Sequence, residues 1–424
     1  MAGMAAGGWA GFLTIEEVPM IEFSDKTIFH LPPLTRFVRD GIYFVVDGEA
    51  PNWIATDRSG AAILDLIDGR RSFGEIVREY GVLQSVESAK SWVHVHTFLH
   101  ELLRRGLIAT RAFRRADYTG RADYLKPARL REFWIHTNNS CNLTCTHCLV
   151  DSHPGGDPGI STAKLKGIID QAAELGARRF YFTGGEPFVR NDIFELIEYV
   201  THEKKAELII LTNATLFRGE RLEGLKRQDR KRLKFQVSLD GCGPATNDPI
   251  RGQGTFDEIA AGLDVLSGLG FDTSLTAVVT GTNIKDMGGL PDLAKKHGAT
   301  SIHLMWLHRR GRALEAFEGL FPSNDDLLRL VRRMKRRSDE LGIVFDNLES
   351  LKLRANGQPG VKFDLGNACW DSLCLYSDGH LYPSASFAGY APLDIGNAGE
   401  HSVKALWLES PVTRRFRAAS LVRK

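Results

Sequence analysis

From about residue 131 onward, short apolar runs alternate with stretches that have the spacing of amphipathic helices. In the stretch 161–175, Leu165, Ile168 and Ala172 fall on one face, three or four positions apart. Six such pairs in succession predict parallel strands joined by right-handed crossovers. We therefore expect an α/β fold in which the strands form an open (β/α)6 partial barrel. The predicted strands lie near residues 132–137, 178–183, 207–212, 234–239, 272–280 and 301–306.

A separate unit precedes this region. The runs Ile42–Val46 and Trp53–Thr56 predict short strands, and three helical patterns follow them. The third helix carries its apolar residues between Trp92 and Leu103. These patterns divide the chain into six segments. We expect an N-terminal extension over 1–24, the strand and helix unit over 25–112, a polar linker over 113–130, the partial barrel over 131–325, a helical connection over 326–364 and a C-terminal region over 365–424.

Composition and charge narrow the possible functions. The chain has 424 residues, of which 43 % are hydrophobic and 25 % are charged, as expected for two or three folded domains. Its 54 basic and 52 acidic residues give a net charge of +2, which does not indicate a nucleic-acid partner. No apolar run approaches the roughly 18 residues of a membrane span, and the apolar start lacks the basic residues of a signal peptide. We expect a cytoplasmic protein with no membrane or nucleic-acid partner.

Three cysteines stand close together after the first predicted barrel strand. Cys141, Cys145 and Cys148 are separated by three and then two residues, so a tight loop can direct them to one centre. Soft thiolates in such a loop suit an iron-sulfur cluster or zinc, and they favour a reducing compartment. A structural zinc site would take its fourth ligand from His147 or His153.

Further candidate residues follow the later strands. In βα barrels the chemistry lies at the carboxyl ends of the strands, where these residues would meet. Two consecutive glycines let the backbone approach a ligand closely and adopt positive φ. The candidates are Gly184, Gly185 and Glu186 after the second strand, Asn213 after the third, Ser238, Asp240 and Arg251 after the fourth, and Val279 on the fifth.

The segment CNLTCTHC at 141–148, followed by Gly184-Gly185-Glu186-Pro187, resembles the motifs of radical S-adenosylmethionine (SAM) enzymes. The resemblance implies a partial TIM barrel in which the three cysteines hold a [4Fe-4S] cluster whose fourth iron binds SAM. It implies that residues 184–186 pair with the SAM amino group. Asn213 stands in a segment close to the T-N-G motif of the family.

By the same resemblance, Ser238 and Asp240 would contact the SAM ribose, and Arg251 would pair with the SAM carboxylate through its planar fork. Val278 and Val279 would lie against the adenine. The implied chemistry is reductive cleavage of SAM to a 5′-deoxyadenosyl radical that removes hydrogen from a substrate. No catalytic residue beyond the cluster and the SAM site is needed for that step.

The unit at 25–112 resembles the small PqqD-like winged domain that recognises the leader of a ribosomally made peptide. Such a domain would pair an extended peptide with an open sheet edge, while a neighbouring helix supplies apolar pockets. The Trp53–Thr56 strand and the Trp92–Leu103 helix are the candidates. The alternatives are a winged helix that binds DNA and a domain that only packs against the rest of the protein. Residues 85–88 lack the basic side chains that a DNA-recognition helix needs.

Residues 366–383 predict a cysteine-bearing loop that enters a hairpin with Asp-Gly at its turn. They resemble the start of a SPASM domain, which binds auxiliary iron-sulfur clusters, so Cys369 and Cys374 are candidate ligands of such a cluster. Where the family has a further cysteine after the hairpin, the chain has Ser384, and no cysteine follows Cys374. We therefore expect an incomplete SPASM-like region, with a reduced auxiliary site or a truncated chain.

Together these resemblances imply a radical SAM peptide maturase. Its partners would be a ribosomal precursor peptide, held through the leader, and an electron donor such as flavodoxin or ferredoxin. The modification would be a crosslink, an epimerisation or an oxidative change. One alternative keeps the radical chemistry and acts on a small molecule in tetrapyrrole or redox-cofactor biosynthesis. Another alternative is a peptide-binding module without catalytic activity.

Overall fold

The computed structural model describes residues 22–48, 52–112, 120–314, 320–355 and 366–419. Most of the predicted N-terminal extension, the first seven residues of the predicted linker and the end of the predicted helical connection lie outside the described residues. The described chain forms two compact units, which meet in sequence between Gly120 and Arg121. We call them the N-terminal unit and the barrel unit. No helix in the described ranges has the length and apolar character needed to cross a membrane.

The N-terminal unit is a three-stranded antiparallel sheet followed by three helices. The sheet order is β1-β2-β3, with Val45 and Ile54 of the inner and last strands in the core. The first strand was not predicted, because all five of its residues are exposed and show no apolar alternation. The elements are β1 (Thr35–Arg39), β2 (Ile42–Asp47), β3 (Asn52–Thr56), α1 (Arg58–Leu66), α2 (Phe73–Gln84) and α3 (Ser88–Arg104).

Strand β3 is an edge strand that lies next to α3. The amide of Asn52 donates to the backbone carbonyl of Arg105, directly after the helix, at 2.7 Å. At the other end of the strand, Thr56 and the ring of Phe98 both crowd the space above Gly60. The edge strand β3 and the helix α3 therefore lie side by side, as the sequence predicts.

The barrel unit is built on one sheet, of ten strands among the described residues. Its order is β10-β9-β8-β7-β6-β5-β4-β11-β12-β13, and every neighbouring pair from β10 to β11 is parallel. The strands are β4 (Glu132–Asn138), β5 (Arg179–Gly184), β6 (Glu207–Thr212), β7 (Leu233–Ser238), β8 (Asp272–Val279), β9 (Ser301–Trp306), β10 (Val344–Phe345), β11 (Ser372–Leu375), β12 (His380–Tyr382) and β13 (Gly396–Asn397).

Helices connect the parallel strands, so the six predicted strand and helix pairs are confirmed. A serine caps α5 where the sequence predicts its start: the Ser161 side chain accepts a hydrogen bond from the Lys164 N–H. The helices are α4 (Arg121–Tyr124), α5 (Thr162–Glu174), α6 (Ile193–Glu198), α7 (Gly219–Lys226), α8 (Pro244–Arg251), α9 (Thr255–Gly268), α10 (Leu290–Lys296), α11 (Asn324–Leu341), α12 (Asp346–Ala355), α13 (Val403–Glu409) and α14 (Pro411–Ala418).

Three features differ from the predicted segments. The sheet does not end at residue 325, because β10 pairs in parallel with β9. The predicted hairpin is present as β11 and β12, but β11 also pairs in parallel with β4, so this region continues the barrel sheet. The short helix α4 stands within the predicted linker, and Arg121 packs over the ring of Trp370 at 4.9 Å.

Alternation along the strands separates the interior of the barrel from the helix-covered core. Phe133 and Ile135 of β4 belong to the core beneath the helices, so Trp134 and His136 lie on the opposite, interior face. The same alternation puts Val278 and Val279 of β8 on opposite faces of the sheet.

At the amino ends of the strands, a row of charged side chains of alternating sign runs from β4 to β8. Arg179 of β5 lies 3.5 Å from Glu132 of β4 and 2.5 Å from Glu207 of β6. Lys234 of β7 lies 2.9 Å from Glu207 and 3.4 Å from Asp272 of β8. Because each charge lies next to one of opposite sign, removing one side chain leaves its neighbours without a counter-charge.

We expect Arg179→Met to destabilise the protein by about 2 kcal/mol, because Glu132 and Glu207 would lose the cation between them. Urea unfolding of the anaerobically prepared protein measures this change. Lys226→Met, which removes an exposed pair with Glu223 on α7, is the control and should have little effect. Equal free energies of unfolding for the two variants would contradict a structural role for this row of charges.

Candidate active site

The three cysteines lie on one loop directly after β4. Backbone hydrogen bonds hold this loop against other parts of the barrel unit. The Cys141 N–H donates to the His153 carbonyl at 3.1 Å, and the Thr146 N–H donates to the Ile250 carbonyl of α8 at 2.9 Å. The cysteine loop is therefore positioned at the carboxyl end of the barrel by its tertiary neighbours.

The environment of the sulfurs fits an iron-sulfur cluster. Backbone N–H groups of Leu143 and Ser152 point to the sulfurs of Cys141 and Cys148, at 3.4 and 3.3 Å. Burial, with the charge of Glu186 adding to it, raises the pKa of Cys141 to about 12. A thiolate at such a place needs the positive charge of a metal centre. Three cysteines on one loop, two of which accept backbone hydrogen bonds, are a donor set typical of such clusters.

The zinc alternative is not supported by the positions of the histidines. The His147 ring is bound to Asp240, with Nε2 and Oδ2 2.6 Å apart, and His153 Nδ1 faces the carbonyl of Pro154 at 2.9 Å. Within the described ranges, no three His, Cys, Asp or Glu side chains converge as ligands of a single metal ion would.

Asp240, after β7, is fully buried and joins four parts of the site. Its Oδ2 faces His147 of the cysteine loop and lies 2.7 Å from Arg251 Nε at the end of α8. Its Oδ1 accepts a hydrogen bond from the Val278 N–H at 2.8 Å, and its carbonyl accepts one from the Asn283 amide at 2.9 Å. Burial alone would raise the pKa of Asp240, but the charges of Arg251 and His147 outweigh it and hold that pKa below the ordinary value.

Arg251 is buried beside Asp240 with part of its guanidinium unused. The contact with Asp240 is close enough for an ion pair, but its N–H direction does not form an aligned hydrogen bond. No other hydrogen bond of this guanidinium to the described residues is present. The predicted pairing of Arg251 with a carboxylate therefore remains sterically open, and it stays a prediction.

Glu186 lies at the carboxyl end of β5 and points toward the end of β6. Its carboxylate accepts hydrogen bonds from the Phe188 N–H at 3.1 Å, the Thr212 hydroxyl at 2.8 Å and the Asn213 N–H at 2.7 Å. Burial raises the pKa of Glu186 to about 7 against these hydrogen bonds. The Glu186 side chain therefore connects the ends of β5 and β6. The predicted contact of residues 184–186 with the SAM amino group would have to be made by their backbone, and it stays a prediction.

The two glycines before Glu186 allow close packing onto the loop that follows β4. Gly184 has φ +117°, and an added Cβ would lie 2.1 Å from the Asn138 carbonyl oxygen. A Cβ on Gly185 would lie 1.9 Å from the Ser140 carbonyl oxygen. The glycines thus serve the approach of two backbones, where the sequence suggested the approach of a ligand.

Asn213 connects the end of β6 to the cysteine loop. Its amide nitrogen donates to the side chain of Asn142 at 2.9 Å, and its amide oxygen accepts from the Thr215 N–H at 3.0 Å. The Asn142 amide in turn donates to the Thr215 hydroxyl at 2.8 Å. The structure thus places Asn213 in a network that orients the loop beside Cys141.

The structure places the two valines that were predicted to lie against the adenine, Val278 and Val279, on opposite faces of β8. Val279 is 1 % exposed and belongs to the core beneath the helices, together with Leu275 and Ala277 of the same strand face. Val278 lies on the interior face and its N–H is bound to Asp240. Val279 therefore faces the helices and Val278 faces the interior, because side chains alternate along β8, and the adenine contact itself stays a prediction. Ser238, at the end of β7, keeps its predicted interior position.

Cys369 and Cys374 are not brought together as a cluster site. Cys369 is buried in the core beneath the helices, and its carbonyl accepts hydrogen bonds from Trp407 and Arg417. Cys374 belongs to a separate hydrophobic cluster with Tyr382. The structure does not support the predicted auxiliary site, because the two residues pack into different cores.

Sequence patterns missed Arg312, which stands after β9 and braces the cysteine loop. Its side-chain Nε donates to the Cys145 carbonyl and its Nη2 to the Ser152 carbonyl, both at 2.8 Å. Its backbone N–H donates to the Cys148 carbonyl at 3.1 Å. The side chain also pairs with Asp151. These partners lie about 160 residues away in sequence, so no local signal reveals the role.

Arg312→Gln is expected to weaken retention of the cluster about tenfold, because two hydrogen bonds to the loop backbone are lost. The rate of iron release to a chelator from the anaerobic, reconstituted protein measures this effect. Arg329→Gln, which removes an exposed pair with Asp326 on α11, is the control and should release iron at the normal rate. Identical rates in both variants would show that the brace is not needed.

Comparisons with known proteins agree with this site. The sequence matches the radical SAM superfamily over residues 135–294 and coenzyme PQQ synthesis protein D (PqqD) over residues 43–108. Mycofactocin maturase MftC of Mycobacterium tuberculosis is 34 % identical over 286 residues, which are 66 % of this chain and 70 % of the relative. AdoMet-dependent heme synthase of Methanosarcina barkeri is 28 % identical over 301 residues, which are 65 % of this chain and 82 % of the relative.

A solved structure shows the same fold. SuiB of Streptococcus suis, bound to its precursor peptide SuiA, aligns with a TM-score of 0.58 over 91 % of each chain, at 15 % sequence identity. The match to the radical SAM family over residues 135–294 and the 34 % identity to mycofactocin maturase MftC, in a chain whose first barrel loop carries three cysteines, identify this protein as a member of the radical SAM superfamily, enzymes that use a [4Fe-4S] cluster and SAM.

Proposed function

We propose that this enzyme is a peptide maturase that holds a ribosomal precursor by its leader and modifies the core peptide by radical chemistry. The observation that carries this proposal is the position of β3 at the edge of its sheet, beside α3, in a unit that matches PqqD. The similarity to mycofactocin maturase MftC supports it. The cluster and SAM, when bound, supply a 5′-deoxyadenosyl radical that removes hydrogen from the substrate.

The residues of the barrel unit hold these groups in position. Cys141, Cys145 and Cys148 would ligate the cluster, and the Asp240 network would keep their loop at the end of the barrel. The backbone of 184–186, with Ser238 and Arg251, would bind SAM. Interior residues of the barrel would shield the radical from water.

The leader would add a strand to β3, with its side chains facing α3. Phe98 is an apolar residue of α3 that lies close to this strand, because its ring and the Thr56 hydroxyl both crowd the space above Gly60. Tethering the leader raises the effective concentration of the core peptide at the barrel, so a core peptide without its leader should be modified with a kcat/KM about 10²-fold lower.

A binding experiment tests the leader site directly. Phe98→Ala is expected to weaken binding of a fluorescent leader, encoded beside the gene, about tenfold, because one aromatic contact is lost. Fluorescence anisotropy with the full-length protein measures the dissociation constant. Val82→Ala at the exposed end of α2 is the control and should bind normally. A leader that does not bind the wild-type protein would argue against the peptide maturase.

A small-molecule substrate is the second candidate, and the similarity to AdoMet-dependent heme synthase favours it. The N-terminal unit separates the two proposals. A peptide maturase should lose product formation when an excess of free leader competes with the precursor. An enzyme acting on a tetrapyrrole should be indifferent to the leader.

The remaining partner is an electron donor, which we propose to be a flavodoxin or ferredoxin of the same cell. An iron-sulfur enzyme with six free cysteines in the described residues fits the reducing conditions of the cytoplasm. We therefore also propose a cytoplasmic location.

A further inference from the structure

The barrel wall formed by β4 and β11 carries three polar side chains that neither the cysteine loop nor the strand-end motifs use. They are His136 on β4, Arg310 after β9 and Tyr376 after β11, and we call them the wall cluster. The rings of His136 and Tyr376 lie edge to face, with their centroids 5.4 Å apart. All three residues belong to the barrel unit.

His136 is buried without a partner. It is 4 % exposed on the interior face of β4, and neither ring nitrogen forms a hydrogen bond to any residue that the structure describes. Burial, with the charge of Arg310 adding to it, lowers the pKa of His136 to about 3, so the ring is neutral and has one N–H to donate. Buried polar groups in folded proteins are hydrogen-bonded, so this imidazole indicates a place for a polar ligand.

Arg310 supplies a positive charge that has no acidic partner within the described part of the chain. Its Nη2 donates to the Ala388 carbonyl at 2.8 Å, its Nη1 donates to the Ser386 carbonyl, and its guanidinium lies over the ring of Tyr390. These contacts fix the guanidinium without neutralising it, and two of its five N–H groups are used in them.

Tyr376 is the member of the wall cluster that lies beside His136 and near the cysteine loop. Burial raises the pKa of Tyr376 to about 12, and the charges of Asp378, Asp157 and Cys148 add to this effect. The phenol therefore keeps its proton at neutral pH and acts as a donor. Tyr376 and Val150, two positions after Cys148, pack against the same hydrophobic cluster, which places Tyr376 near the cysteine loop. A Cβ on Gly389 would lie 3.5 Å from the Tyr376 ring, and Gly389 stands between Ala388 and Tyr390, which Arg310 contacts.

We propose that the wall cluster binds a carboxylate group of the substrate inside the barrel. A guanidinium, an imidazole N–H and a phenol O–H are all donors, and a carboxylate offers two acceptor oxygens and the missing negative charge. The site would hold the carboxylate-bearing part of the substrate next to the cluster loop. This inference rests on the proposed function only in that the substrate is a peptide.

Equilibrium dialysis of the full-length, anaerobically reconstituted protein tests the site with small probes. Hippurate mimics a C-terminal carboxylate, N-acetylaspartate α-amide mimics an acidic side chain, and hippuramide is the uncharged control. We expect at least one carboxylate probe to bind about tenfold more tightly than hippuramide, and the tighter of the two indicates the source of the carboxylate.

Variants assign the binding to these residues. Arg310→Gln should weaken binding of the preferred probe about tenfold, and His136→Phe, which keeps the ring volume, about threefold. Arg329→Gln, which removes an exposed pair with Asp326 on α11, is the control and should bind the probe as the wild type does. If Arg310→Gln fails to retain its cluster, His136→Phe decides.

Two results would overturn the inference: no preference for either carboxylate over hippuramide, or undiminished binding in both His136→Phe and a correctly assembled Arg310→Gln. Neither result depends on peptide modification. Failure of the peptide proposal would instead appear as absence of leader binding in the wild-type protein.

Discussion

Changing Cys145 to serine is expected to abolish formation of 5′-deoxyadenosine and to lower the iron content from about four atoms per chain to below about one. Serine is a poor ligand for iron in such clusters because its oxygen is hard and its hydroxyl is hardly ionised. Burial raises the pKa of Cys145, so this thiolate exists in the folded protein chiefly as a metal ligand. Iron analysis and chromatography of the SAM cleavage products measure the two effects.

Cys242→Ser is the matched control for this experiment. Cys242 lies near the carboxyl end of β7, and its sulfur donates to the Asp286 carbonyl at 3.3 Å, a hydrogen bond that serine can replace. We expect this variant to retain iron and SAM cleavage. If Cys145→Ser retained both, the cluster assignment would be wrong. If the wild type with a reduced cluster formed no 5′-deoxyadenosine, the protein would be a binding module.

The second large effect is expected for Asp240→Asn. This change leaves Arg251 buried without a counter-charge and weakens the contact with His147 of the cysteine loop. Loss of one partner of a buried ion pair costs about 3–5 kcal/mol, so the variant should unfold at a clearly lower urea concentration. Iron retention should fall with it, because the loop loses its tie to β7.

Two further variants make this result specific. Asp264→Asn also breaks an aspartate-histidine contact, with His297, but Asp264 is exposed and little change is expected. Arg251→Met added to Asp240→Asn should restore part of the lost stability, because the uncompensated charge is then gone. A stability of Asp240→Asn within about 1 kcal/mol of the wild type would contradict the central role of this carboxylate.

Local patterns were sufficient where a residue acts through its own strand or loop. The six barrel strands were predicted within a few residues of their ends, because each is an apolar run bounded by turns. The predicted hairpin at 372–382 is also present. Its pairing with β4 was not predicted, because β11 and β4 are about 240 residues apart in sequence and nothing in either strand specifies its neighbour.

The same distinction holds for the site. The choice between Val278 and Val279 depends on which strand face meets the interior, and two adjacent valines look alike in sequence. The bracing role of Arg312 depends on backbone carbonyls of a distant loop. Such contacts carry no residue-type signal, because a carbonyl belongs to every residue.

The sequence by itself determined the candidate donor set for the cluster, the order of the six barrel strands and their helices, and the presence of a separate N-terminal unit, since spacing and periodicity are local properties. Only the tertiary structure decided that Asp240 binds His147 and Arg251, that the glycines at 184 and 185 serve backbone packing, and that Cys369 and Cys374 lie in different cores. Burial and pairing arise between residues far apart in the chain, so they exist only once the barrel has closed.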